Sequence, residues 1–395
     1  LLKLGVFDPS IEIETVLFGM AIIGSAFLLS WAAEVAQMDI SQGLAIAFLA
    51  FIAVLPEYAV DLVFAWKAGA EDAAAAGGLD PCIATEHCSR QLAIANMTGA
   101  NRLLIGLGWA AVVLVWYFRS KQREVTLPIT RRTDLGFMFI ATAWALTIVF
   151  RESASILDTA VLVTLFGLYI WHAAKEEQEH PELIGPPLAI AKLGTKRRRI
   201  VTLVLFVYAA GAIIAAAEPF AHGLVEIGKE FGISPFLLVQ WLAPLASEAP
   251  EMIIAILFVL RAKPEQGLGA LVSSKVNQWT LLVGTLPLVY GISYGSLTRA
   301  MELGPRQIEE VLLTAAQSLF AAAVLANLSI SRAEASGLLF LFLAQFAFEK
   351  SEIRYGFAAA YALLFVILLA KDKSARHGLW ASMKQAFSKP GHMVP

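Results

Sequence analysis

Apolar runs alternate with short polar breaks along nearly the whole chain. They cover residues 15–36, 43–66, 91–118, 134–150 and 155–173, then 201–221, 233–261, 267–290, 307–328 and 333–348, with a last run over 355–370. Each is near or above the roughly 20 residues a helix needs to cross a bilayer. The pattern predicts an all-α integral membrane protein with two five-helix halves and one extra C-terminal transmembrane helix. The divisions fall at 1–173 for the first half, 174–199 for a linker, 200–350 for the second half, and 351–395 for the extra helix and a tail. The linker holds Pro181, Pro186 and Pro187 and ends in Lys196-Arg197-Arg198-Arg199, so it cannot lie in lipid.

Composition narrows the class further. Hydrophobic residues make up 58% of the chain and charged residues only 16%, where a soluble domain carries about 25% charge. Strands of alternating polarity are absent, which argues against a membrane β-barrel. The net charge of −2 points to no particular partner, and nothing resembles a nucleic-acid-binding patch.

Lysine and arginine placement sets the expected orientation. With the N-terminus outside, inward segments hold 19 of these residues and outward segments nine, while Arg102 and Lys275 fall within spans. The prediction is a cell-membrane protein with an outside N-terminus and a cytoplasmic C-terminus. Five spans per half then bring the second half into the membrane from the opposite side, the inverted-repeat arrangement of many transporters. The loop from Gly69 to Ser89 falls outside and carries both cysteines, Cys82 and Cys88. A disulfide is allowed in that compartment, and two loop thiols are equally open.

The candidate chemistry is duplicated. Pro56-Glu57 and Pro250-Glu251 each lie within a long apolar run, and a mid-membrane carboxylate is costly unless it binds something. Glu34 and Glu218 end the preceding runs in matching contexts, and Ser41 and Ser234 open the next helices. Glu57 precedes Asn101 by 44 residues and Glu251 precedes Asn277 by 26, the difference of 18 being the acidic outer loop.

Leu55-Pro56-Glu57 with Ala95-Asn96-Met97-Thr98-Gly99-Ala100-Asn101, and Ala249-Pro250-Glu251 with Ser273-Ser274-Lys275-Val276-Asn277, resemble the two α-repeats of the calcium:cation antiporter superfamily. That superfamily includes sodium/calcium and cation/proton exchangers. The resemblance implies ten core helices in inverted halves, with helices two, three, seven and eight forming an ion site around the two glutamates. Departures are specific. Ala53-Val54 stands where the family carries Thr-Ser, and Leu104 falls near a later polar position. The second repeat keeps Ser247, places Glu248 beside it and has Thr280 near the last ligand position. Lys275 occupies the family glycine position, whose first-repeat counterpart is Gly99.

Ca2+ takes six to eight oxygens, so a site without the first-repeat hydroxyls needs water to complete the shell. Glu57, Asp61, Glu248 and Glu251 against Arg102 and Lys275 leave a formal charge of −2, adequate for cations. The expected ion- or proton-binding residues are Glu57, Glu251, Glu248, Ser247, Asn96, Asn101, Asn277 and Thr280, with Glu57 and Glu251 holding the metal ion. Lys275, Arg102 and Asp61 would tune charge, and Glu34 and Glu218 would gate access. Each has a plainer reading. The glutamates could pair with Lys275 and Arg102 as buried structural ion pairs, the asparagines could be interhelical glue, and Glu34 and Glu218 could simply reach the interface.

No histidine pair among His87, His172, His180, His222, His377 and His392 has metal-ligand spacing within one span. A phosphate-binding glycine loop and a Ser/His/Asp arrangement are also missing, which disfavours an ATP-driven pump or an enzyme, and no cofactor is expected. Pro56, Gly99, Pro244 and Pro250 suggest broken or kinked helices whose carbonyls could coordinate ions. The expected function is exchange of Ca2+ or Na+ for H+ by alternating access. The alternative is a transporter-like scaffold or accessory membrane subunit that has lost ion exchange.

Overall fold

The structure, a computed structural model, describes residues 9–36, 38–39, 55–75, 88–175, 183, 185–346, 348 and 350–388. Ser41, Ala53, Val54 and Cys82 lie outside the described residues, so the disulfide expectation does too. The first half contains α1 (Ile11–Ala36), α2 (Leu55–Ala74), α3 (Ser89–Ser120), α4 (Arg132–Arg151) and α5 (Ile156–Ala173). After a short α6 (Pro186–Ala191) come α7 (Thr195–Phe231), α8 (Pro235–Leu260), α9 (264–294), α10 (Pro305–Leu325) and α11 (Arg332–Phe346). Two further helices, α12 (Ser351–Lys371) and α13 (Lys373–Ala386), end the described chain. Each predicted apolar run falls on a described helix, the run at 43–66 from Leu55 onward.

Three features differ from the expectation. Helix α7 begins at Thr195 and takes Lys196, Arg197, Arg198 and Arg199 into its first turns. Lysine and arginine are good helix formers, and a span can continue past the lipid into the headgroup layer. The expected tail contains α13, which buries Ala375, Leu379, Ser382 and Ala386 at helical spacing. Its hydropathy is too low to read as a span, although its face is docked: a Cβ on Gly136 or Gly378 would overlap the carbonyl of Ser382 or Ala326. Finally, α8 runs through Pro244 and Pro250 without interruption. The irregularities lie instead in α3 and α9, as π-helical segments at Leu104–Trp109 and Gln278–Leu282. Both follow closely on the repeat asparagines Asn101 and Asn277, and such wide turns recur at functional sites.

The inverted repeat is visible in the caps and ladders. Strand β1 (Glu124–Thr126), between α3 and α4, pairs with β4 (Ser329–Ser331), between α10 and α11. Strand β2 (Ser153–Ala154), between α4 and α5, pairs with β3 (Met301–Glu302), between α9 and α10. One exchange of halves turns either ladder into the other. The residue after β1, Leu127, donates its N–H to Leu328 O at 2.7 Å, and the residue after β3, Leu303, donates to Glu152 O at 2.8 Å. Glu152 and Leu328 both adopt the left-handed conformation, with φ of 53° and 64°. Helices α5 and α11 open alike: Ser155 N–H donates to Asp158 at 2.8 Å and Ser331 N–H to Glu334 at 2.7 Å, a Ser-x-x-Asp/Glu start that satisfies otherwise orphaned donors.

Helices α1 and α7 pack along each other, while α2, α3, α8 and α9 make the centre. Gly99 brings α3 against α8 so closely that a Cβ would overlap the Gln240 carbonyl. Its second-repeat counterpart, Lys275, is fully buried with its whole side chain. The halves therefore share a backbone plan and differ in chemistry at this pair of positions.

Candidate ion site

The centre of the molecule collects polar side chains from both halves. Glu57 lies in the first turn of α2 and is 2% exposed, and Asp61 follows one turn later, fully buried. Glu248 lies fully buried in α8, one turn before Glu251, which is half-buried. Placing four carboxylates in spans requires partners, because lipid offers none.

One residue connects the halves. Gln278, at the first position of the π segment in α9, donates Nε2 to Glu57 Oε1 at 2.6 Å and also to Glu248 Oε1. The amide thus lies between a first-repeat and a second-repeat carboxylate at the point where α9 widens. Glu57 Oε2 and Glu248 Oε2 have no hydrogen-bond partner among the described residues, nor does Gln278 Oε1. Three buried oxygens are thus left able to face a cation, and the two carboxylate oxygens among them can also take a proton.

The other expected residues surround this bridge. Asn96 donates Nδ2 to Asp61 Oδ1 at 2.9 Å, tying α3 to α2. Lys275 donates Nζ to Asn101 Oδ1 at 2.6 Å and stands 4.3 Å from the centre of the Trp279 ring. Asn101 donates in turn to Met97 O at 2.8 Å. Ser247 and Thr280 send their hydroxyl hydrogens to their own helices, Ser247 to Ala243 O at 3.2 Å and Thr280 to Val276 O at 2.7 Å. Their oxygen lone pairs remain available to a ligand. Asn277 is buried beside them.

Arg102 does not face these carboxylates. It is fully buried and pairs with Glu310 of α10 at 2.5 Å, donates to Gln345 at 3.2 Å and lies 5.0 Å from the Trp241 ring centre. Glu34 is half-buried near the end of α1, and Glu218 is 61% exposed and 3.4 Å from Lys67. Among the described residues, no group of three or more His, Cys, Asp or Glu side chains stands ready to enclose a metal ion. Oxygens for a cation would therefore come from amides, hydroxyls and water as well as carboxylates.

Sequence reasoning missed Gln278, although it directly follows Asn277, because a glutamine in a span reads as helix glue. It also missed Glu309, Glu310 and Arg354, whose charges sit near predicted span ends and read as interfacial.

A profile of the sodium/calcium exchanger protein family matches residues 14–175 and 201–349, one match per half. The chain belongs to that family. Among solved structures, this family member is similar to the crystal structure of an H+/Ca2+ exchanger, CAX, at 43% identity over 98% of this chain and 93% of that one, with a TM-score of 0.89. The sodium-calcium exchanger NCX_Mj shares the fold, with a TM-score of 0.55 at 17% identity over 86% of this chain and 98% of that one. A curated relative, the putative antiporter CaxA of Alkalimonas amylolytica, is 27% identical over 58% of this chain, and the match spans 64% of that relative's length.

Proposed function

We propose that the protein is a secondary active antiporter that exchanges Ca2+ for H+ across the cell membrane by alternating access. The bridge from Gln278 to Glu57 and Glu248 carries this reading. Two buried carboxylates, one from each repeat, share a neutral amide and each keep one oxygen unpartnered among the described residues. Protons and a divalent cation compete for such oxygens, and that competition is the coupling. An amide N–H cannot ligate a cation, so Gln278 turns its carbonyl toward Glu57 and Glu248 when Ca2+ enters. Glu251, the hydroxyls of Ser247 and Thr280, the amides of Asn96 and Asn277, and water supply the rest of the six to eight oxygens Ca2+ prefers.

Similarity to the solved H+/Ca2+ exchanger supports this choice of ions over Na+. The lysine and arginine bias supports an outside N-terminus and a cytoplasmic C-terminus. A locked scaffold is the weaker reading, because Lys275 hydrogen-bonds Asn101 and Arg102 pairs with Glu310, leaving Glu57 and Glu251 outside both pairs.

Purified protein in liposomes with an imposed pH gradient tests the proposal. Ca2+ should collapse the gradient, and Glu57→Gln or Glu251→Gln should abolish that response in folded protein. Collapse by Na+ alone would overturn the ion assignment, and no cation response from folded wild type would overturn antiport.

A further inference from the structure

Outside the ion site, ionisable side chains reach the two motif helices from opposite ends. Arg131-x-x-Asp134 leads into α4 and Arg306-x-x-Glu309-Glu310 lies in the first turns of α10, the equivalent helices of the two halves. In the first cluster, Tyr169 O–H donates to Asp134 Oδ1 at 2.6 Å and Ser273 O–H donates to the same oxygen at 3.1 Å. Arg131 Nη1 lies 3.3 Å from Asp134 Oδ2 and donates to Ser273 Oγ at 2.9 Å. Ser273 is two residues before Lys275. One turn earlier on α9, Gly269 leaves room for the Arg131 guanidinium, since a Cβ there would stand 2.8 Å from Nε.

In the second cluster, Arg306 pairs with Glu309 at 2.9 Å and with Glu310 at 3.5 Å. Glu310 pairs with Arg102, the residue after Asn101, at 2.5 Å. Arg354 of α12 pairs with Glu309 at 2.5 Å and with Glu310. Helix α4 of the first half therefore grips α9 of the second, and α10 of the second half grips α3 of the first. Both acids are buried, Asp134 at 4% and Glu310 at 0% exposure.

We infer that Asp134 and Glu310 are reciprocal positioning residues, each fastening the motif helix of the opposite repeat so that Lys275 and Asn101 meet across the ion site. The two grips are not identical. The α4 grip reaches α9 through a neutral serine, Ser273, held by Asp134 and Arg131, whereas the α10 grip works through a charged pair and borrows Arg354 from α12, beyond the residues the family profile matches. The effect on cation affinity rests on the antiport reading; the mechanical effect on the helices does not.

Two measurements on the full-length protein separate these parts. Amide hydrogen exchange reads the grip directly, because local opening follows lost tertiary support. Asp134→Asn should speed exchange across 264–282 at least tenfold and leave 89–103 unchanged, and Glu310→Gln should do the reverse. Asp134→Glu and Glu310→Asp serve if the amide variants fail to fold. Exchange that rises equally in both regions, or in neither, overturns the reciprocal grip whether or not the protein transports.

Flux in liposomes then reads the consequence. Each amide variant should raise the half-saturating Ca2+ concentration at least threefold. Asp134→Asn with Ser273→Ala should raise it no more than the larger single change, the non-additivity expected of residues acting through one contact. Folded variants with wild-type half-saturation, lower only in maximal rate, would overturn the positioning role. Inactive wild type with the expected exchange pattern would overturn antiport and leave the grip standing.

Discussion

Lys275 and Asn101 meet across the boundary between the two repeats, with the ammonium 2.6 Å from the amide oxygen. The contact joins the position of the family glycine in one half to the repeat asparagine of the other. The Lys275 amino group thereby reaches the centre of the molecule through Asn101 and not through a hydrogen bond to Glu57 or Glu251. On the antiport reading proposed above, Lys275 would act as a resident cation of the site.

Neutralising it should favour incoming cations. Lys275→Gly is expected to lower the half-saturating Ca2+ concentration several-fold and to flatten the dependence of flux on pH. The lost partner leaves Asn101 Oδ1 buried, a cost of about 1–3 kcal/mol, less than the roughly 3–5 kcal/mol for stranding a buried charge. Thermal melting and flux on one preparation check both parts. Unchanged affinity and pH profile in stable protein would remove Lys275 from the site.

The bridging amide should matter as much as the acids. Gln278→Leu is expected to reduce Ca2+-driven proton flux at least tenfold while the protein still folds, because it removes the donor shared by Glu57 and Glu248 and one potential oxygen ligand. Gln278→Glu should keep part of the flux and shift its pH dependence, since a carboxyl can ligate but must be deprotonated to do so. Wild-type flux in the leucine variant would show that the bridge is packing only.

The N-terminal end of α7 carries a pH prediction with a definite sign. Asp39 accepts from Arg198 Nε and Nη2, both at 2.8 Å, and from Arg199 Nε at 3.0 Å. These hydrogen bonds, Arg198 first, hold its carboxyl down to about 2. Because the folded-state value lies below the unfolded value of about 3.9, the stabilisation is fully present above that pH and disappears as pH falls through about 2. Asp39→Asn should therefore lower the melting temperature by the same amount at pH 5 and pH 8, and the gap should close toward pH 2. A gap that changes between pH 5 and 8 would contradict the assignment.

Topology can be checked from both faces. Ladder β1–β4 ties two loops to one side of the membrane, and on the orientation proposed from the charge bias that side is cytoplasmic. Single cysteines replacing Glu124 and Ser329 should label only from the cytoplasm, and Cys82 only from outside. Labelling of Glu124 and Ser329 positions from opposite sides would break the ladder, and Cys82 labelling from within would invert the orientation.

The sequence alone determined the class, the spans and the doubled motif. Hydrocarbon demands long apolar runs and makes every charge within them conspicuous, so membrane helices and buried glutamates are legible one segment at a time. Even the serine-led starts of α5 and α11 are local patterns, since Ser155 with Asp158 and Ser331 with Glu334 lie three residues apart.

Which charges face one another was decided only in three dimensions. Arg102 stands next to the repeat asparagine in sequence and yet pairs with Glu310, 208 residues away, because the side chain following Asn101 on a helix points to a different face. Gln278 bridges to Glu57, 221 residues away, because the packing of the two halves brings the start of the α9 π segment to α2. Pairing in a bundle depends on helix rotation, crossing and local winding. None of these is written in the spacing of a single segment.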